Sequence, residues 1–371
     1  KDCAMAKKTI IALFFCILLP WGIACSKNAE NRVVNIYNWA DYIAPGIIEK
    51  FEKETGIRVQ YDVFDTNEIL EAKLMVGHSD FDVVFPTANP FFARQIQAKI
   101  YQKIDQSKLK NYGNLNADLL KSLELIDPHN DYGIPYVWGT SGFGYNIQKV
   151  KEIMPNAPIH SWKMVFDPKV VSKFQKCGVT VMDTAFEVLT NTLAYLHIDP
   201  NSFAKEDLEK AIGAIRAIRP YLRSFNSSRV TDDLANGDIC LAQGWSVDIL
   251  LARDRAKEAH RNYDIAYAIP EEGSELWFDM MAIPADAPHV DEAHAFIDFI
   301  LRPDISAEIT NYLKMASAND AAKKYTDKSV LENPLIYPPA KVIQKLFISK
   351  SAPVNYERLR TRLWARMTAR K

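Results

Sequence analysis

Three tryptophans in this chain of 371 residues each precede an aspartate by two or three positions: Trp39-Ala40-Asp41, Trp245-Ser246-Val247-Asp248 and Trp277-Phe278-Asp279. An indole face attracts a cation and covers its methylenes, worth about 0.5–2 kcal/mol. A carboxylate beside it accepts charge-assisted hydrogen bonds from N–H. Together they are the chemistry that holds an organic cation. Each pair falls at the end of a segment that reads as a strand. Asp279 is the most telling, because Leu276-Trp277-Phe278-Asp279-Met280-Met281-Ala282-Ile283 is otherwise apolar. Residues two apart share a strand face, so Trp277 and Asp279 point the same way. A carboxylate in such a run is costly unless a cation or donors compensate it. A solvent-facing edge position is the competing reading.

The other acids have ordinary structural alternatives. Trp39 and Asp41 share a face as the first strand ends, with Tyr42 adding a ring, yet Asp41 can equally be a turn acceptor before Pro45. Asp248 lies in the first turn of a helix, where the macrodipole favours an acid whatever its function. Glu187 closes Thr184-Ala185-Phe186-Glu187, which has capping-box spacing, and on that ground alone it reads as structural.

The elements that must position these residues alternate between apolar strands and amphipathic helices. The pattern predicts strands over 33–37, 58–63 and 81–85, with helices over 45–54 and 67–76 between them. A second such stretch predicts strands over 179–182, 239–245 and 265–269, and helices over 185–196, 205–218, 230–236 and 247–259. This alternation argues for an α/β fold with mostly parallel sheets flanked by helices. At this length two lobes are expected. The glycine-punctuated run at 135–142 reads as one crossover, and the apolar strand at 275–284 as the return. From residue 290 onward the chain is mainly helical.

Composition narrows the function. Lys and Arg number 45 and Asp and Glu 46. The first 25 residues hold three of those bases and one of the acids, so the remainder carries a net charge near −3. That balance argues against a nucleic-acid partner, which demands a basic face. Residues 1–25 read as an export signal: Met5-Ala6-Lys7-Lys8 is basic, an apolar stretch follows, and Ala24 precedes Cys25. Gly22-Ile23-Ala24-Cys25 resembles a lipoprotein cleavage box, with Cys25 as the acylated residue. Beyond it only Cys177 and Cys240 remain of the five cysteines. In an exported chain these two can bridge or stand as separate buried thiols. Enzyme motifs are poor. The sequence has no His-Glu-x-x-His, no Cys-x-x-Cys and no Walker glycine loop, and Gly139-Thr140-Ser141-Gly142-Phe143 fails the nucleophile elbow at its last position. No metal or cofactor is expected.

Several motifs then resemble one family. Tyr37-Asn38-Trp39-Ala40-Asp41-Tyr42-Ile43, Phe51-Glu52-Lys53-Glu54-Thr55-Gly56-Ile57, Asn226-Ser227-Ser228 and Leu234-Ala235-Asn236-Gly237-Asp238-Ile239-Cys240 look like bacterial periplasmic polyamine-binding proteins. So do Gly244-Trp245, Ala282-Ile283-Pro284-Ala285-Asp286-Ala287, Arg302-Pro303-Asp304 and Tyr337-Pro338-Pro339-Ala340. The resemblance runs from about residue 32 to the end. It implies a two-lobe periplasmic binding protein fold (type II), with lobe 1 at 32–138 plus about 277–335 and lobe 2 at 139–276 plus about 336–371. The hinges would lie near 136–142 and 274–282. It implies ligand contacts from Trp39, Asp41, Tyr42, Thr87, Glu187, Ser227, Trp245, Asp248, Trp277 and Asp279, and a disulfide between Cys177 and Cys240. The family thus reverses the local reading of Glu187.

The function it implies is capture of a polyamine, putrescine first, and delivery to an ABC permease by a monomeric periplasmic protein. Ala40 stands where relatives often carry a hydroxyl, and Met315 where they place a ligand-contacting Tyr. Thr184 stands where spermidine-binding relatives place an Asp, which favours a diamine. The alternatives are a spermidine-preferring binder, a polyamine sensor and, more remotely, a secreted hydrolase. An anion, sugar or amino-acid binder would want Arg or Lys at the strand ends, which carry acids instead.

Overall fold

The computed structural model describes residues 32–369. The expected export signal and Cys25 lie outside the described residues. The chain opens with β1 (Val33–Trp39), α1 (Ile47–Thr55), β2 (Arg58–Phe64), α2 (Asn67–Met75) and the short β3 (Val83–Val84). In β1 the alternate residues Val34, Ile36 and Asn38 are buried, the two-residue period of a strand with one face on a core. Helix α1 stops at Gly56, whose left-handed φ of 68° lets its N–H reach Glu52 O. The Thr66 hydroxyl accepts from Ile69 N–H and caps α2.

Strand β4 (Gly133–Asn146) is the spine of the molecule. All 14 residues are buried. Its first half pairs with β9 (Leu276–Ala282), and its second half pairs with β7 (Leu241–Trp245) and β8 (Ile265–Ala268). Between β4 and β9 the chain builds β5 (Val179–Val181), α3 (Ala185–Tyr195), α4 (Lys205–Ile218), β6 (Ser224–Phe225), α5 (Val230–Asn236), β7, α6 (Ser246–Glu258) and β8. After β9 come α7 (Val290–Ile300), α8 (Pro303–Leu313), β10 (Ala316–Ser317) and finally α9 (Val354–Thr368). The strand order is β2-β1-β3-β9-β4-β7-β5-β6. The outer strands pair in parallel, β1 with β2 and β3, and β5 with β6 and β7. The crossover strands β4 and β9 join antiparallel, so the sheet is mixed.

Two large hydrophobic cores and a smaller third one, around Val230, Ile239, Ile249 and Tyr267, sit along this sheet. Ile36, Phe51, Val83, Phe92, Phe278 and Phe296 belong to one large core, and Phe143, Trp162, Phe174, Leu189, Ile212 and Leu241 to the other. Apart from the start of α6, which sends Leu250 into the first core, the chain passes between these two in order from Trp138 to Phe143, from Ala268 to Leu276, and from Ile348 to Tyr356. The third passage is later than the boundary near 336 read from the sequence, because Ile336 and Ile348 still pack in the first core. It lies against the second passage, with Leu276 N–H donating to Phe347 O at 2.8 Å and Phe347 N–H to Ser274 O at 3.0 Å. Cys177 and Cys240 form a disulfide, with Cα atoms 5.5 Å apart, tying the turn before β5 to the start of β7.

Candidate binding site

The acids and rings come from β9, from the ends of β1 and β7, from the loop after β1 and from the first turns of α3 and α6. Asp279, only 5% exposed in β9, accepts from the Tyr42 hydroxyl at 2.5 Å and the Thr87 hydroxyl at 2.7 Å. Thr87 is fixed by a reciprocal pair with Asn67: its N–H donates to Asn67 Oδ1, and Asn67 Nδ2 donates to its hydroxyl, both at 3.0 Å. Tyr42 is fixed in turn by the buried Tyr136, whose hydroxyl donates to Tyr42 O at 2.6 Å. Burial pushes the Asp279 carboxyl up to about 6, against the pull of Tyr42 and Thr87. Burial, followed by the charge of Asp279, holds the Tyr42 phenol protonated, with Asp248 adding to the effect.

Asp248 stands in the first turn of α6, and burial alone pushes its carboxyl up to about 6. The start of α6 reaches the first core, where Val247 and Leu250 pack, although α6 follows a strand of the second half and Ile249 packs in the small third cluster. Glu187 lies in the first turn of α3 and accepts from Trp245 Nε1 at 3.1 Å. It keeps partial solvent contact, yet the protein packed around it pushes its carboxyl up to about 7. The capping box does not form: Thr184 makes no side-chain cap bond, and Glu187 turns instead toward an indole 58 residues away. Trp277 is half-buried on β9. Its ring needs Gly139 opposite, where a Cβ would meet Trp277 Cζ2 at 2.2 Å.

Other expected residues are placed differently. Trp39 ends β1 with its indole N–H spent on Phe85 O at 2.8 Å, while its ring tilts toward Tyr42, 6.3 Å between centroids. Asp41 is exposed in a left-handed turn, φ 55°, so the strand alternation that would align it with Trp39 ends before it. Its charge acts on Tyr61 instead of on Tyr42 or Asp279. The Ser227 hydroxyl donates to Asp183 Oδ1 at 2.6 Å and accepts from Asp183 N–H at 3.2 Å, so it is engaged with the loop before α3. Met315 is buried in the first core.

Sequence reasoning missed Glu275. It is 3% exposed, and burial together with the Glu187 charge raises its carboxyl well above the usual range. Its signal was present in the alternation Glu275, Trp277, Asp279. Tyr136 and Asn67, which hold Tyr42 and Thr87, were also unread. Among the described residues, no Lys or Arg forms an ion pair with Asp279, Asp248, Glu187 or Glu275, although the surface carries many such pairs.

Two α/β cores joined by three passages of chain, with acids and indoles on the elements around them, define a two-lobed solute-binding protein of the type II architecture. The chain belongs to the bacterial extracellular solute-binding proteins, whose family model matches residues 46–337. It is 45% identical over 366 residues to the putrescine-binding periplasmic protein of Pseudomonas aeruginosa, covering 98% of each chain. It is 46% identical over 370 residues to the putrescine-binding periplasmic protein of Escherichia coli, covering 99% of this chain and all of that one. Among solved structures it is similar to the spermidine/putrescine ABC transporter substrate-binding protein of Streptococcus pneumoniae. That likeness has a TM-score of 0.78 at 26% identity, over 91% of this chain and 98% of the other. No described helix is long and apolar enough to cross a membrane.

Proposed function

We propose that this chain captures a polyamine outside the inner membrane, putrescine first, and hands it to an ABC permease. The observation that carries this reading is Asp279: a carboxylate buried in an apolar strand, held by two neutral hydroxyls and no basic side chain. Such a group is strongly unfavourable when ionised unless a cation joins it. An ammonium supplies that cation. Asp248 and Glu187 are acids of the same kind, and the Trp39, Trp245 and Trp277 rings would flank the alkyl chain between them. Tyr42 and Thr87 orient Asp279. Asp41 and Ser227 would act at the rim.

The lobes in this reading are 32–138 with about 276–350, and 139–275 with about 351–369. Closure brings Val247 and Asp248 against the first lobe, and a ligand that both halves must touch favours the closed form. The protein would reach the periplasm through the signal at 1–25 and act as a monomer, with Cys25 as a lipid anchor. Its task is transport, not turnover.

Calorimetry with putrescine, cadaverine, agmatine and spermidine tests the reading. One-to-one binding of putrescine supports it, and no binding of any of the four overturns it.

A further inference from the structure

A groove of about 600 Å³ runs between the two halves of the molecule. One wall is the short helix Ala93–Gln97 and the residues before it, which contribute Pro90 and Arg94. Phe92 and Ala93 root this wall in the first core. The other wall is α9, which contributes Val354, Arg358, Arg362 and Ala365. Tyr356, Trp364 and Met367 root it in the second core. The walls therefore belong to different lobes, and any movement of one lobe against the other changes the width of the groove.

Its charges do not cancel. Arg94 pairs with Glu71, and Glu357, the one acid lining the groove, pairs with Arg360. Arg358 and Arg362 are exposed and, among the described residues, form no ion pair. They lie one turn apart on the same face of α9, about 6 Å along the axis at ~1.5 Å per residue. A guanidinium has five donors and no acceptor, so each calls for an anion. A polyamine is repelled here, which separates this groove from the site around Asp279. Beside the arginines Val354 is left 67% exposed, and Pro90 and Ala365 add apolar lining. An apolar groove edged by unpaired cations suits an amphipathic segment that bears acids. Two carboxylates four apart on a helix, or two apart on a strand, match the spacing of Arg358 and Arg362.

We propose that this groove receives an acidic segment of the ABC permease, with carboxylates on Arg358 and Arg362 and apolar side chains against Val354 and Ala365. A permease must tell loaded protein from empty, and a groove with one wall on each lobe reports that difference directly. By linkage, a partner that fits the closed groove best also favours the closed form. This rests on the transport reading and extends it to the surface that makes delivery selective.

The test is ATP hydrolysis by the permease with its ATPase subunits in phosphatidylcholine nanodiscs. It is driven by putrescine-loaded wild type, Arg358→Glu/Arg362→Glu and Arg358→Gln/Arg362→Gln. Putrescine calorimetry and thermal unfolding check each variant first, and affinity should stay within about threefold of wild type because neither arginine belongs to the polyamine site. The concentration giving half-maximal stimulation should rise at least about tenfold in the Glu variant. It should rise by a smaller factor in the Gln variant, which carries the test if the Glu variant fails to fold. Added salt should weaken stimulation by the wild type more than by the Gln variant. Equal half-maximal concentrations in the folded variants overturn the docking surface. So does wild-type stimulation that requires anionic lipid, which makes the membrane the occupant. So does a wild-type dimer that the variants lose, which places a second copy in the groove. A wild type that binds putrescine without stimulating the permease overturns the transport reading itself.

Discussion

The Tyr42 hydroxyl donates to Asp279 Oδ2 at 2.5 Å, joining the loop after the first strand to β9, 237 residues later. The bond favours the ionised carboxylate where burial opposes it. Tyr42→Phe should therefore weaken putrescine by about 0.5–1.5 kcal/mol, the ordinary net worth of one hydrogen bond. It should also move the acid limb of binding to higher pH. Titrations at several pH values check both effects, and a variant with wild-type affinity throughout would remove Tyr42 from the site.

Binding should depend on pH with a definite sign. The Asp279 and Asp248 carboxyls lie at about 6 and Glu187 at about 7, all raised mainly by burial. Because these values exceed the unfolded ones of about 4, the acids stabilise the ligand-free fold at low pH. That contribution is lost as pH rises through about 4 to 7. A bound dication reverses the balance, since it requires the ionised forms. Putrescine affinity should fall at least about tenfold between pH 7.5 and pH 5, and the gain in Tm on adding ligand should shrink with it. An affinity flat across that range would show that these acids do not meet the ligand.

Much of this arrangement was legible in the sequence, for reasons that are local. Strand and helix periods placed β1, α1, α4 and α5 nearly to the residue, because each buries one face on a single core. Asp279 stood out because its neighbours are apolar. Glu187 was ambiguous because capping-box spacing is also local, while its actual partner, Trp245, comes from another strand. Asp41 was expected beside Trp39, but a left-handed turn breaks the alternation. Glu275 escaped notice because its burial comes from the segment at Phe347–Ser349, which no short-range pattern ties to β9.

Closure should be measurable in solution. Val247 and Leu250 at the start of α6 pack against the first core, so separating the lobes must expose them. Protein stripped of ligand by unfolding and refolding should show a larger radius of gyration by X-ray scattering than the same sample with saturating putrescine. Superimposable profiles would exclude a clamp.

The Cys177–Cys240 bridge closes a loop of 63 residues within the second half of the molecule. In the chain-entropy model its loss costs up to about 4 kcal/mol. Cys240→Ser should therefore unfold at markedly lower urea than the wild type. Two free thiols in denatured, non-reduced protein would refute the bridge.

The most direct measurement is putrescine calorimetry on Asp279→Asn beside the wild type at pH 7.5. The amide is nearly isosteric, keeps one acceptor oxygen for one of the Tyr42 and Thr87 hydroxyls and offers its NH2 to the other, which can turn to accept it, so thermal unfolding should remain cooperative. Loss of the charge should weaken putrescine by about 1.5–3 kcal/mol, the range for hydrogen bonds to charged groups. An unchanged dissociation constant in the folded variant would contradict a cation held by Asp279.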